Sequence, residues 1–354
     1  MQSVYVGTYQ PAGKDSLFHL GFDPATGELS VRSADASVTR PSFVALNPSG
    51  RYLYAVSEAP GGVDGEVCAF AIDAVSGDLT PLNRRPANGR STCHLAVDAS
   101  GRRVIVSNYG SPTVVMYPIA PDGSLDDGPA AVRHEGSSVH PRQAEPHPHS
   151  ANIAPNNRFV YVPDLGLDKV MIYSLDALAG TLTAAAPPHL RLAPGAGPRH
   201  LAFHPSLPYA YVVSEIDSTV TACAWSALTG ALTELQTVPT LPPDALGPSF
   251  AADVHVHPAG TFLYASNRGH NSLAVFRIDA ASGRLTAAGH APSHGQTPRH
   301  FALDPAGAFL FAENQDSDTI VTLRIDPATG GLEPTGHVLR LPTPVCMQFA
   351  PAAV

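Results

Sequence analysis

The chain has 354 residues, of which 44% are hydrophobic and only 14% charged, a balance that suits a large buried core and argues against disorder. A formal net charge of −9, with no Lys/Arg cluster, excludes nucleic acid and anionic membranes as natural partners. No stretch approaches the ~18 apolar residues of a spanning helix.

In chain order, the first element is Val4-Tyr-Val-Gly-Thr8, which reads as a strand reached without the charged and apolar regions of a signal peptide. Cys68, Cys93, Cys223 and Cys346 are scattered without CxxC spacing and read as free thiols, which sets the expectation of a cytoplasmic protein. From residue 43 a phrase begins that recurs to the end. Phe43-Val-Ala-Leu-Asn-Pro48-Ser-Gly-Arg-Tyr-Leu-Tyr-Ala-Val56 is an apolar alternation ending in Pro, then a turn and a strand. His300-Phe-Ala-Leu-Asp-Pro305-Ala-Gly-Ala-Phe-Leu-Phe311 repeats it. The Pro position falls at 48, 99 (Ala there), 155, 205, 258, 305 and 351, in steps of 46 to 56 residues. Each unit also carries a Gly/Leu turn, at Gly27/Leu29, Gly77/Leu79, Gly123/Leu125, Gly180/Leu182, Gly230/Leu232, Gly283/Leu285 and Gly330/Leu332.

A fixed period of this length with several short strands per unit predicts a β-propeller. The expected architecture is all-β: one seven-bladed domain over residues 1–354, with four antiparallel strands (A to D, from the axis outward) per blade. Strand B is expected at Tyr52 to Ser57, Val104 to Ser107 and Phe262 to Ser266, and strand C at Glu66 to Ile72 and Ser272 to Ile278. The opening segment reads as a B strand with no A strand before it. The closing segment, Val345-Cys-Met-Gln-Phe-Ala-Pro351, reads as an A strand with no B strand after it. Pairing these two closes the ring and removes its exposed edges.

Because A and B are antiparallel, the start of A and the end of B meet at one mouth of the ring. Six residues before the Pro stand Ser42, Cys93, His149, Arg199, Ala252, Arg299 and Val345. Five before it stand Phe43, His94, Ser150, His200, Asp253, His300 and Cys346. Ten after it stand Glu58, Tyr109, Leu165, Glu215, Arg268 and Gln315, with Asn108, Asp164, Asn267 and Asn314 just ahead of the corresponding residues. Positions four and two before the Pro are apolar in nearly every unit, as an alternating core strand requires. The mouth positions instead differ between repeats and carry His, Arg, Glu and Asp, which marks them as the functional ones. Three arginines, Arg199, Arg268 and Arg299, converging in an acidic chain point to an anionic ligand. His204 and His257 precede the Pro and read as turn residues. His147 lies in Glu145-Pro-His-Pro-His149, outside the strand, and His255 sits where other repeats have Ala. The alternating histidines offer metal-ligand spacing, but strand patterning explains them and the arginines would repel a cation, so no metal is expected. Phosphate loops, GxSxG elbows and HExxH motifs are absent.

His147-Pro-His-Ser150, Gly197-Pro-Arg-His200-Leu-Ala-Phe-His-Pro205, Ser214-Glu215, Ala252-Asp-Val-His-Val-His257, Ser266-Asn-Arg-Gly-His270 and Pro298-Arg-His-Phe-Ala-Leu-Asp-Pro305 resemble the seven-bladed propeller lactonase family. That family includes bacterial 6-phosphogluconolactonases and fungal carboxy-cis,cis-muconate cyclases. The likeness covers the full chain and is sharpest in its second half. It implies a catalytic set of His149, Arg199, Glu215 and Arg268, with chemistry free of metal and cofactor. Arg299, His300, His200, Glu58, Asn267 and Asp253 are the expected substrate-binding residues. The implied partner is a small anionic lactone or carboxylate, and the implied state a monomer or weak homo-oligomer. Three functions stay open at this point: lactone hydrolysis of the 6-phosphogluconolactonase kind, with Glu215 or His149 activating water and Arg199 meeting the oxyanion; lactone-forming cycloisomerisation on the same residues; and a propeller that binds a small ligand without turnover.

Overall fold

Each repeat forms a four-stranded antiparallel meander, and seven such sheets stand around one axis in the computed structural model, which describes residues 1–351. The innermost strands are Pro344–Phe349 (blade 1), Val44–Leu46 (blade 2), Thr92–Val97 (blade 3), Asn152–Ile153 (blade 4), Pro198–Phe203 (blade 5), Phe250–Val256 (blade 6) and Pro298–Leu303 (blade 7). Each contacts the inner strand of the next blade, and the contact from blade 7 through blade 1 to blade 2 completes the ring. Blade 1 is built from both termini: Pro344–Phe349 pairs antiparallel with Gln2–Thr8, Val4 facing Phe349 and Gly7 facing Cys346. The Gln2 amide donates to Ala350 O (2.7 Å), and the Ala350 N–H donates to Ser3 O (2.9 Å).

The recurrent Gly/Leu turn has a packing reason. At Gly283 (φ +69°) a Cβ would fall 2.4 Å from the Tyr209 ring of the preceding blade, and at Gly123 (φ +85°) 2.1 Å from Tyr52. Only glycine takes that backbone and leaves room for that ring. The turn carbonyl then becomes an acceptor for a buried tyrosine of the preceding B strand. Tyr5 donates to Gly77 O, Tyr54 to Gly123 O, Tyr161 to Gly230 O, Tyr211 to Gly283 O and Tyr264 to Gly330 O, at 2.6–3.2 Å. Two joints differ. Thr322 donates to Gly27 O (3.0 Å) at the joint of blades 7 and 1, and the Arg103 guanidinium donates to Ala177 O and Leu178 O at the joint of blades 3 and 4.

Strict alternation breaks where the inner strands begin. Pairing jumps from Thr92 to His94, Pro198 to His200, Pro298 to His300, Pro344 to Cys346 and Ala251 to Val254. The skipped residues are Cys93, Arg199, Arg299, Val345 and the pair Ala252–Asp253. A β-bulge leaves the extra residue outside the ladder and re-aims its side chain. Blade 4 slips in the same way just ahead of its two-residue inner strand, Pro148 bridging Asp164 while Asn152 faces Tyr161, and the preceding residues 134–151 form an insertion containing a 3₁₀ turn at Pro141–Gln143. All four cysteines are buried and free.

Candidate active site

The insertion before blade 4 is held by buried carboxylates. Asp164 accepts from His134 Nδ1 (2.6 Å) and from the His147 N–H (2.7 Å), and Asp168 accepts from the Gln143 amide (2.6 Å). The short turn is capped in both directions: His140 Nδ1 accepts the Arg142 N–H and Gln143 Oε1 accepts the His140 N–H. This frame delivers Arg142 over the axis and sets His149 beside the bulged Cys93, whose thiol lies 3.2 Å from His149 O.

Here the side chains enclose a cavity of about 280 Å³, lined by Arg142, His149, Glu215, Arg268, Arg299, Glu58, Tyr109, Ser91 and Cys93. Glu215 is its electrostatic hub. Its Oε1 pairs with Arg142 Nη2 at 2.5 Å, and its Oε2 with Arg268 Nη2 at 2.7 Å and Arg199 Nε at 3.2 Å. Burial by itself would raise the Glu215 pKa, but Arg268, Arg199 and Arg142 outweigh it and hold the carboxyl far below the usual range. Arg142 also donates to the Tyr109 hydroxyl (3.2 Å). Arg299 lies over the Tyr9 ring, 5.3 Å from its centroid, and among the described residues no carboxylate pairs with it. Burial opposes its charge, yet Tyr9, Glu58 and Glu215 raise its pKa, so the guanidinium stays charged. His149 has a buried Nδ1 without a hydrogen-bond partner. Burial first, then Arg199 and His200, hold its pKa well below 6.5, so the ring is neutral. The wall thus carries three guanidiniums against two carboxylates, a local positive excess in a chain of net charge −9.

A second cavity, of about 300 Å³, lies further along the same inner strands toward the repeat prolines, lined by Phe43, His94, His200, Asp253, His255, His300 and Gln348 among others. Asp253 Oδ1 accepts from His200 Nδ1 (2.7 Å), and its Oδ2 lies 2.9 Å from His255 Nε2 and 3.4 Å from His300 Nε2. His300 Nδ1 lies 2.8 Å from Glu313 Oε1.

The ten candidate residues therefore separate into three groups. His149, Glu215, Arg268, Arg299 and Glu58 share the first cavity. His200, His300 and Asp253, expected at the same mouth, line the second one instead, because side chains one residue apart on an inner strand point to different levels of the channel. Arg199 and Asn267 line neither cavity. Arg199, 2% exposed, lies between the two levels: Nε donates to Glu215, and Nη1 reaches Ala252 O and His200 Nε2. Burial, then Arg268 and Arg299, push its pKa down to about 9. Asn267 is buried, bonded to Ser272 within blade 6 and to Thr240, the residue after the blade 5 outer strand Leu232–Pro239, as a brace between the two blades. His204 and His257 donate to Gly260 O and Gly307 O and accept turn N–H groups, as turn residues would. Sequence reasoning missed Arg142, which lies in an insertion that no repeat position indexes. It also left Tyr9 aside, although Tyr9 directly follows the first strand where other repeats place Glu58 and Glu215.

Fold and site together define a class: a seven-bladed propeller that holds a small arginine-rich cavity in its axial channel. A family model described as lactonase, 7-bladed beta-propeller, matches residues 3–349. The 6-phosphogluconolactonase of Bacillus subtilis (strain 168) is 38% identical over 300 residues, covering 85% of this chain and 84% of that protein. The 6-phosphogluconolactonase of Formosa agariphila is 34% identical over 307 residues, covering 85% and 86%. The solved structure of the periplasmic gluconolactonase of Pseudomonas aeruginosa superimposes with a TM-score of 0.93 at 30% identity, covering 99% of both chains. The chain belongs to the seven-bladed β-propeller lactonase family, and these curated relatives mark it as a lactone-hydrolysing enzyme. No helix among the described residues is long and apolar enough to cross a membrane.

Proposed function

We propose that the chain hydrolyses the lactone of a phosphorylated sugar acid, 6-phosphogluconolactone being the substrate its relatives' names indicate. The observation that carries this reading is Arg299: a charged, carboxylate-free guanidinium facing the same small cavity as Arg142 and Arg268. A planar fork without a carboxylate partner is suited to a phosphate, with which it makes strong charge-assisted bonds. Arg142 and Arg268, both tethered to Glu215, flank the position of the lactone carbonyl and meet the oxygen on which charge develops. Arg199, which lines neither cavity and whose Nε donates to Glu215, positions Glu215 rather than touching substrate.

His149 is the general base. It is neutral, its ring lines the cavity, and Glu215, with three guanidiniums on it, is too weak a base to compete. His149 takes a proton from water as the oxygen attacks the carbonyl; the ring–oxygen bond breaks, and the alkoxide leaves as the sugar hydroxyl with a proton returned from His149. Water and lactone thus become the hydroxy acid. The substrate's own negative charge offsets the arginine field and raises the basicity of His149 once the site is filled.

The test compares 6-phosphogluconolactone with gluconolactone in H₂¹⁸O, with His149→Gln alongside. The reading expects incorporation of solvent oxygen into the product carboxylate and a higher kcat/KM for the phosphorylated lactone. It expects His149→Gln to lower kcat by about 10²–10⁴ without moving Tm. Equal kcat/KM for the two lactones would remove the phosphate from the reading, and an unchanged kcat in His149→Gln would remove the base.

A further inference from the structure

We propose that Asp253, His255 and His300 form a binding site for a borderline divalent transition-metal ion, of the Zn²⁺ or Co²⁺ kind, in the second axial cavity. The donor atoms, two imidazole nitrogens and one carboxylate oxygen, lie within 4.8 Å of one another. Ions of this kind hold N and O donors at about 2.0–2.2 Å in a tetrahedron, which puts neighbouring donors roughly 3.3 Å apart. The separations from Asp253 Oδ2, 2.9 Å to His255 Nε2 and 3.4 Å to His300 Nε2, bracket that spacing.

The surrounding hydrogen bonds orient these donors. Arg199 Nη1 can only donate, so His200 Nε2 accepts and His200 Nδ1–H donates to Asp253 Oδ1. Asp253 Oδ1 is also 3.0 Å from the Val254 N–H, while among the described residues the only backbone donor to Oδ2 is the Phe301 N–H at 3.4 Å. Glu313 Oε1 lies 2.8 Å from His300 Nδ1, which leaves His300 Nε2 facing Asp253 Oδ2 across 3.4 Å, a separation that a shared ion would bridge. A carboxylate behind a ligating imidazole is also the usual outer support of such sites. Asp253 and Glu313 are both buried, and Glu313 Oε2 has no partner, so a divalent ion would balance two enclosed negative charges. His255, with a third of its side chain exposed, faces a cavity with room for the ion's entry and for a water in the fourth position. Two imidazoles select against Ca²⁺ and Mg²⁺, which prefer all-oxygen shells. Of the arginines expected to repel a cation, Arg268 and Arg299 face the other cavity. Asp253 and His255 belong to blade 6 and His300 to blade 7, so the ion would bridge two blades at the axis.

The test uses chelator-stripped full-length protein in equilibrium dialysis against Co²⁺ alone, read by metal content, visible ligand-field absorption and Tm. The expectation is one saturable equivalent with the absorption of a four- or five-coordinate N/O site, a raised Tm, and displacement by Zn²⁺. His255→Ala should lose that equivalent and its absorption. Glu313→Gln should keep it with affinity weakened roughly 10- to 100-fold, and Arg268→Gln, in the other cavity, should keep it unchanged. Absence of saturable uptake by the wild-type protein, which needs no variant to measure, would overturn the proposal; so would an equivalent retained in His255→Ala.

Discussion

Glu215 occupies a position that a single carboxylate seldom fills, with three guanidiniums on its two oxygens and only 6% of its side chain exposed. Removing it takes from Arg199, buried beside Arg268 and Arg299, its paired carboxylate. Glu215→Gln is therefore expected to lower stability as well as activity, by about 3–5 kcal/mol on the scale of broken buried pairs, measured by denaturant unfolding. The same depressed pKa fixes a pH window. The folded value lies below the ordinary 4.5, so this group stabilises the fold above pH 4.5, and its contribution drains away as pH falls below that toward the folded value. Arg142 is the contrasting case. Its side chain is 38% exposed on an insertion, so Arg142→Ala should cut kcat/KM by roughly 10²–10³ if it meets the oxyanion, while Tm stays near wild type. His149 provides an electrostatic readout. Arg268 is among the charges that hold its pKa below 6.5, so Arg268→Gln should move the His149 ring titration upward, followed by NMR of the ring C–H signals. A downward or absent shift would contradict the field described for the first cavity.

At the level of the element, the bulges at the start of the inner strands explain what the sequence made legible and what it hid. Counting back from the repeat Pro lands on ionisable residues of the inner strands, because the repeat is regular and each blade has its own side chain at the count. It does not say that Arg299 and His300, adjacent in the chain, serve different cavities. An unbroken strand would send such neighbours to opposite faces. The skipped pairing at Arg299 turns its side chain to the first cavity, while His300 rejoins the ladder and reaches Glu313 and Asp253. Periodicity cannot announce a skipped rung, so the count places His200, Asp253 and His300 at the same mouth as Arg299, whereas they line the second cavity. Arg142 was hidden for a different reason: insertions have no counterpart in other repeats, and only the cap residues around Pro141 mark a local turn. The predicted strands themselves are recovered within one or two residues at their ends, Tyr52–Ser57 and Ser272–Ile278 without any shift.

For the whole molecule, closure by Pro344–Phe349 makes the ends of the chain part of the core. Val345, Cys346 and Met347 are all buried in the closing strand. Their burial is worth about 1.5–3 kcal/mol per large apolar side chain, and deletion of residues 345–354 also exposes the edge of Gln2–Thr8. Thermal melting of that truncation should fall well below wild type in one cooperative step; an unchanged melt would mean that the terminal pairing does not hold the ring.

The joint between blades 3 and 4 is unlike its neighbours. Where five other joints insert a buried phenol, it relies on the partly exposed guanidinium of Arg103, and the fourth blade reaches the axis with only Asn152–Ile153. In native-state deuterium labelling the amides along that seam should therefore exchange ahead of the rest. The insertion that carries Arg142 joins the same two blades at the opposite, mouth end of the strands, so its hold on Asp164 and Asp168 would keep the site in place even where that seam exchanges.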